Sequence, residues 1–460
     1  MEKYILAHDL GTSGNKAALF GLDGEMIGSE LYEYKTYHPF PGFVEQEPAD
    51  WWEAVCGSTK ALLERTDTLP GEIACVCFSG QMMGCLPVDS QGEPLYKMIT
   101  WADLRSVDQA RHMSQALDPA EFYRLTGHRL SASYSAAKLL WLKEEQPGIY
   151  GRTYKMLQAK DYIIHRMTGA FVTDYSDASG TNLLDLRKKE WSDTIIKEMG
   201  IEPSMLPDLL RSADIAGRIT GPAASALGLL EGTPVVAGGG DGVCACVGAG
   251  VVAEGQVYNV IGSSSWISMA SQSPIYDREM RAFNWVHMDP TLYAPCGTMQ
   301  SAGYSFKWAV NALCADDTEQ ARLMGISPYT LIDRQISNTR PGANGLLFLP
   351  YLMGERSPRW NPAAKGCFIG LIAGSSKYDM LRAILEGVGY NLKVILDIFN
   401  QAGYTVKHKV LNAWDYGVAQ KRERLITLGV RNDLASKEFG QATLSTRGRA
   451  GAQKKRLSRH

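Results

Sequence analysis

The opening pattern of the chain narrows its fold more than any other feature. Residues 3–27, KYILAHDLGTSGNKAALFGLDGEMI, alternate apolar and polar positions, turn at residues 11–14, alternate again and turn at residues 22–24. A period of two broken by Gly-rich turns predicts strand, tight turn, strand. A similar unit recurs at residues 255–270, GQVYNVIGSSSWISMA. Two such hairpins about 250 residues apart point to one architecture used twice, in two lobes. Between them, helical patterns at 48–63 and 135–145 interleave with a short strand pattern at 73–79, which implies mixed α/β layers. The small-residue run AGGGDGVCACVGAG at 237–250 reads as the boundary between the lobes.

At 460 residues the chain is long enough for two or three domains with a large core. Its longest apolar run, residues 242–253, is too short and too glycine-rich to span a bilayer, so no membrane association is expected. The first residues carry an acid and run straight into a strand pattern, so no secretory leader is expected. Nine scattered cysteines without CxxC or Cys/His spacing fit reduced thiols and a cytoplasmic protein. The net charge of −2 conceals an asymmetry. Residues 404–460 carry 13 Lys/Arg against 4 Asp/Glu, a net of +9, whereas residues 1–403 carry 34 against 45, a net of −11. An acidic body with a basic tail indicates either a nucleic-acid arm or segments of different origin.

Several short stretches carry polar groups where apolar runs end. DLGTSGNK at 9–16 places Asp9 before a Gly/Thr/Ser turn. Backbone N–H groups in such a turn suit phosphate oxygens, and the acid suits hydrated Mg²⁺; an ordinary hairpin with Asp9 bonded to its own turn is the alternative. IGSSSW at 261–266 is a second hydroxyl-rich turn, either a phosphate contact or a polar hairpin loop. GGGDG at 238–242 sets one carboxylate, Asp241, among glycines that allow close approach of a ligand. That carboxylate would accept a hydroxyl proton in phosphoryl transfer, or it is a plain turn aspartate. SGQMMG at 79–84 and TWADLRS at 100–106 place Gln81, Trp101, Asp103 and Arg105 on loops at strand ends. An aromatic face with a few polar groups suits a polyol; a core Trp beside a surface salt bridge explains the same residues. GxxxxGK[ST], GxGxxG and HExxH are all absent, as is any metal-like histidine cluster.

These segments, together with GFVEQEPADWW at 42–52, SYSAAKLLWLKEE at 133–145, KDYIIHRMTGAFVTDYSDASGT at 160–181, FLPYLMGERSPRWNP at 348–362 and the stretch from GCFIGL to DMLRAILEG at 366–387, occur in family order. From residue 3 to about 401 they resemble the FGGY family of carbohydrate kinases, most nearly its xylulokinase-like branch. The resemblance implies an α/β fold of two actin-like (RNase H-like) domains around a nucleotide/sugar cleft. It implies ATP and Mg²⁺ as cofactors and transfer of the γ-phosphoryl group to a sugar hydroxyl. By motif position, Asp241 is the catalytic base and Asp9 supports the metal. Gly11, Thr12, Ser13 and Lys16 lie near the phosphates, and Gly262, Ser263 and Ser264 form the second phosphate loop. Gln81, Met82, Met83, Trp101, Asp103 and Asp241 fall where the family meets its sugar.

Two departures qualify this. Xylulokinases usually read GQMHG, whereas Met83 stands at the His position, and a thioether does not hydrogen-bond as an imidazole does. That leaves ketoses and polyols other than xylulose open. In the family, the helix ending near residue 401 leads to a strand and a glycine-rich turn that holds the adenosine. Here residues 404–434, YTVKHKVLNAWDYGVAQKRERLITLGVRNDL, instead resemble the QxRxR segment of DNA cytosine-5 methyltransferases, with Gln420, Arg422 and Arg424 on the motif. No cofactor loop, nucleophile segment or Glu-Asn-Val segment accompanies it, so methylation is not expected.

The expected organisation is a sugar-binding kinase domain at 1–248 and a shortened ATP-binding domain at 249–403. A methyltransferase-like fragment at 404–438 and a basic tail at 439–460 follow. The leading expectation is a sugar kinase whose second domain is incomplete; the sequence does not set its oligomeric state, and a homodimer is one option. The competing ones are an inactive fusion product and a protein that binds DNA weakly and non-specifically through the tail.

Overall fold

The computed structural model describes residues 3–401, 404–412 and 423–431. The chain divides into two compact units. The first comprises Met1–Val252, Gln272–Tyr276 and Phe283–Ala294; the second comprises Ala253–Ser271, Asp277–Ala282 and Pro295–His460.

Unit 1 is built on the opening pattern. β1 (Tyr4–Leu10), β2 (Gly14–Gly21) and β3 (Met26–Glu33) form an antiparallel meander, with Asp9 opposite Lys16. The free edge of β1 pairs in parallel with Ile73–Gly80, which pairs in parallel with Pro234–Val236; Ile215–Arg218 closes that edge antiparallel. The helix α1 (Pro48–Arg65) starts with Pro at its first turn and carries Asp50 early and Arg65 late, all matched to the helix dipole. Its buried Trp51, Val55, Thr59, Leu62 and Leu63 recur at three- and four-residue spacing, so one face covers the sheet. That face meets Leu6, Leu19, Val76 and Phe78 in the main core. A second core forms around the helix Ser135–Glu145, whose Ala136, Leu139, Leu140 and Leu142 are buried.

Among these apolar residues β1 also buries His8. Asn15 Nδ2 donates to His8 Nδ1 at 3.1 Å, and Thr59 Oγ1 lies 3.4 Å from Nε2. Burial lowers the imidazole pKa to about 4 against the pull of Asn15, so the ring stays neutral.

The run at 237–250 is part of unit 1 rather than a tether. Gly239 and Gly240 pair in parallel with Ser79 and Gly80, and the helix Asp241–Gly248 follows directly. Gly238 has φ +67°, and a Cβ there would lie 2.1 Å from the Phe78 carbonyl oxygen. Only glycine lets the backbone pass so close.

In unit 2 the strands Val257–Ile261 and Ser265–Met269 form the second hairpin, and the latter pairs antiparallel with Tyr293–Met299. The helices Gly303–Leu313, Pro328–Ile336 and Lys377–Gln401 enclose a core of Val310, Ile332, Leu346, Phe348, Leu381 and Ile384. After the long helix, Tyr404–Asn412 pairs antiparallel with Glu423–Arg431. Arg424 stands in the second of these strands, opposite Leu411. Gln420, Arg422 and the basic tail at 439–460 lie outside the described residues. Among the described residues, no helix is long and apolar enough to cross a membrane.

Candidate active site

The turn between β1 and β2 is held from three sides. Gly11 N–H bonds the Gly14 carbonyl at 3.1 Å, Tyr34 N–H bonds the Ser13 carbonyl at 3.2 Å, and the Tyr34 hydroxyl donates to the Gly11 carbonyl. Gln46 Nε2 donates to the Thr12 carbonyl at 2.7 Å, and Trp101 Nε1 donates to Thr12 Oγ1 at 3.0 Å. Gly14 permits this because a Cβ there would sit 2.6 Å from the Tyr32 carbonyl oxygen. Thr12 is thereby rigid, while Asp9, Ser13 and Lys16 are exposed beside it. One Asp9 oxygen accepts from Ser79 Oγ at 2.9 Å. The plain alternative, Asp9 bonded to its own turn, is not what the fold uses.

The parallel pairing of Gly239 and Gly240 with Ser79 and Gly80 carries Asp241 to the same end of the sheet. Asp241 opens a helix, and its Oδ1 accepts from Gly242 N–H at 2.7 Å. The carboxyl reaches solvent, yet protein surrounds the group on most sides. That crowding pushes its pKa up to about 7; Gly242 N–H pulls it down, and the negative charge of Asp9 adds to the rise. A carboxyl poised near neutrality is suited to taking a proton at cellular pH.

The residues expected to meet sugar fall into two groups. Gln81 Nε2 donates to Gln46 Oε1 at 2.6 Å and Trp51 Nε1 donates to the same oxygen at 3.2 Å, so Gln81, Gln46 and Thr12 form one chain of bonds. Gln81 Oε1 is buried without a hydrogen-bond partner. Met82 packs so closely that a Cβ on Gly240 would lie 2.5 Å from its sulfur. Met83 has φ +64°, and the buried Lys138 ammonium pins its carbonyl at 2.7 Å.

Asp103 belongs to the other group. It is fully buried; Val44 N–H bonds Oδ2 at 2.6 Å, while the Arg105 amide and guanidinium take both oxygens. Arg105 also bonds Glu45 Oε1 at 2.7 Å and lies 3.9 Å over the Phe43 ring. Asp103, expected to meet the sugar or else to form a surface salt bridge with Arg105, is instead part of an interior pair and anchors the loop that presents Trp101.

In unit 2, Gly262, Ser263 and Ser264 form the turn between the hairpin strands. Ala302 and Tyr304 N–H groups bond the Ser263 carbonyl, and Gly303 N–H bonds that of Gly262 at 2.9 Å. The turn therefore sits on the start of the helix Gly303–Leu313, and a Cβ on Gly303 would lie 2.5 Å from the Gly262 carbonyl oxygen.

Gln46, Tyr34, Lys138 and Gly303 were not singled out from the sequence. Each acts through a contact far away in the chain, and no local pattern marks it. Gly303 is the first residue of the helix Gly303–Leu313, a position that the sequence does not mark.

The carboxylates present fit Mg²⁺. Asp9 and Asp241 are close enough for one charge to raise the other's pKa, a repulsion that a cation relieves. Among the described residues no cluster of three or more His, Cys, Asp or Glu forms a protein cage. Mg²⁺ keeps several waters and takes one or two carboxylates plus phosphate oxygens, and Asp9 and Asp241 would supply the carboxylates.

Comparison with known proteins agrees with this geometry. The profile of the FGGY family of carbohydrate kinases, N-terminal domain, matches residues 4–248, and that of the C-terminal domain matches residues 257–423. The second match runs twenty residues past the junction expected at 403. The chain is 30% identical over 409 residues to xylulose kinase of Staphylococcus xylosus, covering 89% of this chain and 81% of that protein. It is 32% identical over 395 residues to gluconokinase of Bacillus subtilis, covering 86% and 76%. The crystal structure of xylulose kinase from Rhodospirillum rubrum superposes with a TM-score of 0.80 at 26% identity, covering 87% of this chain and 80% of that one. That of ligand-bound xylulose kinase from Lactobacillus acidophilus gives 0.79 at 28% identity, covering 86% and 78%. The actin-like two-domain fold expected from the sequence is therefore borne out, as is ATP-dependent sugar phosphorylation, while the DNA-binding alternative gains no support. Matching profiles over both halves, relatives aligned through most of their length and a carboxylate set behind a glycine turn converge on one assignment: the chain belongs to the FGGY family of carbohydrate kinases.

Proposed function

We propose that the chain phosphorylates a hydroxyl of a small open-chain ketose or polyol, with Asp241 as general base. The observation that carries this is the Asp241 carboxyl, held at the head of a helix directly after a glycine turn, near Asp9, with its pKa near 7. In the step, the sugar hydroxyl gives its proton to Asp241 as its oxygen bonds the γ-phosphorus. The bond from that phosphorus to the β,γ-bridging oxygen breaks, and ADP carries the electron pair away. Asp9 would hold Mg²⁺, whose charge offsets that on the phosphates. Thr12 and Ser13, with Lys16 opposite Asp9, would face the γ-phosphate. Gly262, Ser263 and Ser264 would serve the second phosphate contact. Gln81, with an unmet acceptor, and Trp101, with its indole face, would orient the sugar, with Asp103 positioning the loop.

Relatives named as xylulose kinases and gluconokinases both favour a linear, polyhydroxylated substrate. Met83 supplies no imidazole, so we favour a ketose or polyol other than xylulose. The family match ends at residue 423 and residues 424–460 carry no glycine-rich run of the kind expected to hold the adenosine, so we further propose that ATP is bound more weakly than in the relatives. Sugar-dependent ADP release across ketoses, polyols and gluconate tests the reading. Turnover with at least one of them, abolished in Asp241→Asn, is expected. Release that ignores every sugar would overturn the proposal.

A further inference from the structure

The turn that carries Asp241 rests on a buried charge cluster. Lys160 Nζ lies 2.6 Å from Asp161 Oδ1, 3.1 Å from Asp174 Oδ1 and 3.3 Å from Asp177 Oδ2, with all four side chains at most 1% exposed. One cation among three carboxyls is poorly balanced. Burial pushes Asp177 well above the usual carboxylate range; Lys160 opposes this, and the other two aspartates add to it. A buried ion cluster is a weak source of stability, because desolvation offsets most of the attraction. Fixing a geometry is a better account, and Asp174 shows which geometry.

Asp174 Oδ2 accepts from Ser176 Oγ at 2.5 Å and from Ser212 Oγ at 2.7 Å. With its proton committed to Asp174, Ser176 Oγ accepts from Gly240 N–H at 3.0 Å. The Ser212 carbonyl accepts from Gly238 N–H, also at 3.0 Å. Both ends of the Gly238–Gly240 turn are therefore referenced to one carboxylate, which Lys160 holds by its other oxygen. Gly240 is covalently joined to Asp241, so the orientation of its amide sets where the Asp241 helix begins.

We propose that Ser176 and Asp174, held by Lys160, are positioning residues that set the Gly240 amide and thereby aim the Asp241 carboxylate. The proposal rests on Asp241 acting as the base, and its test separates the two. Ser176→Ala removes the acceptor of Gly240 N–H without changing charge. Hydrogen exchange of the peptide spanning residues 238–242 should speed up about fivefold, the worth of one hydrogen bond, while other segments keep their rates. In the same variant kcat should fall about tenfold to a hundredfold, with sugar KM within about twofold, since a misaimed base slows the step without weakening binding. Ser176→Thr keeps the hydroxyl and should recover both readouts. Ser212→Ala keeps the carbonyl that Gly238 N–H bonds but removes the hydroxyl that ties this residue to Asp174; it should move both readouts in the same direction, by less, and covers the case that Ser176→Ala fails to fold.

Unchanged exchange at 238–242 in the variants would overturn the proposal. So would a loss of kcat that tracks a falling melting temperature and a rising KM, because that marks a merely structural role. A wild-type chain without sugar-dependent turnover would sink the kinase reading alone, and exchange would still decide whether the serine holds the turn.

Discussion

Trp101 Nε1 donates a 3.0 Å hydrogen bond to Thr12 Oγ1, joining residues 89 positions apart. The bond ties the loop expected to face the sugar to the turn expected to face phosphate. Asp103, buried and spent on Arg105, holds that loop in place. Trp101→Phe keeps an aromatic face and removes the donor. A neutral hydrogen bond contributes about 1 kcal/mol, so sugar KM should rise about fivefold with kcat nearly unchanged. Steady-state kinetics with the best sugar check this, and a variant with wild-type KM would leave the bond without a binding role.

Asp241→Asn keeps the shape of the side chain and removes its basicity. Loss of a positioned general base lowers kcat by about 10² to 10⁴. Sugar binding, measured calorimetrically without nucleotide, should change less than about threefold. An Asn variant that retains most of its turnover would remove Asp241 from the chemistry.

Gly240 and Met82 should couple energetically. A Cβ on Gly240 would overlap the Met82 sulfur at 2.5 Å, so Gly240→Ala forces a shift in a packed region and should destabilise by about 2 kcal/mol. Met82→Ala opens that space. The double variant should be more stable than the sum of the single effects by about 1 kcal/mol. Additive denaturation midpoints would show that the turn moves away instead.

His8 predicts an acid-sensitive unit 1. Its folded pKa lies near 4, below the unfolded value of 6.5, so between those values the unfolded chain binds a proton that the folded chain refuses. Stability should therefore be full above pH 6.5 and fall as pH drops towards 4, by roughly 3 kcal/mol at most. His8→Gln cannot titrate, and its stability should be flatter over that window. Equal pH profiles for the two proteins would argue that His8 is protonated in place.

Glu355 works in the opposite sense in unit 2. It accepts from Gln300 and Arg356 N–H groups and from Asn391 Nδ2, yet burial raises its pKa to about 7 despite these bonds. A raised acid stabilises most when protonated, so its contribution is full below about pH 4.5 and is lost as pH rises through 7. Replacement Glu355→Gln should remove that decline. A melting series from pH 4.5 to 8 reads it, and identical slopes for both proteins would refute it.

The amino-acid sequence by itself determined the local elements and singled out the candidate reacting groups. The alternation at residues 3–27 is a strand–turn–strand pattern wherever it lies, because side-chain period and turn chemistry are local properties, and helix Pro48–Arg65 followed from the spacing of its apolar positions in the same way. The order of motifs was enough to suggest the kinase family and to single out Asp9 and Asp241. What only tertiary structure decided is which groups meet. Gln46 reaches Thr12 and Gln81, Ser176 reaches Gly240, and Gly303 meets Gly262 through pairings set by sheet order and close packing. Asp103 and Arg105 have the same letters whether they sit on a surface or in a core. Burial, which depends on every element packed around them, makes the pair an anchor.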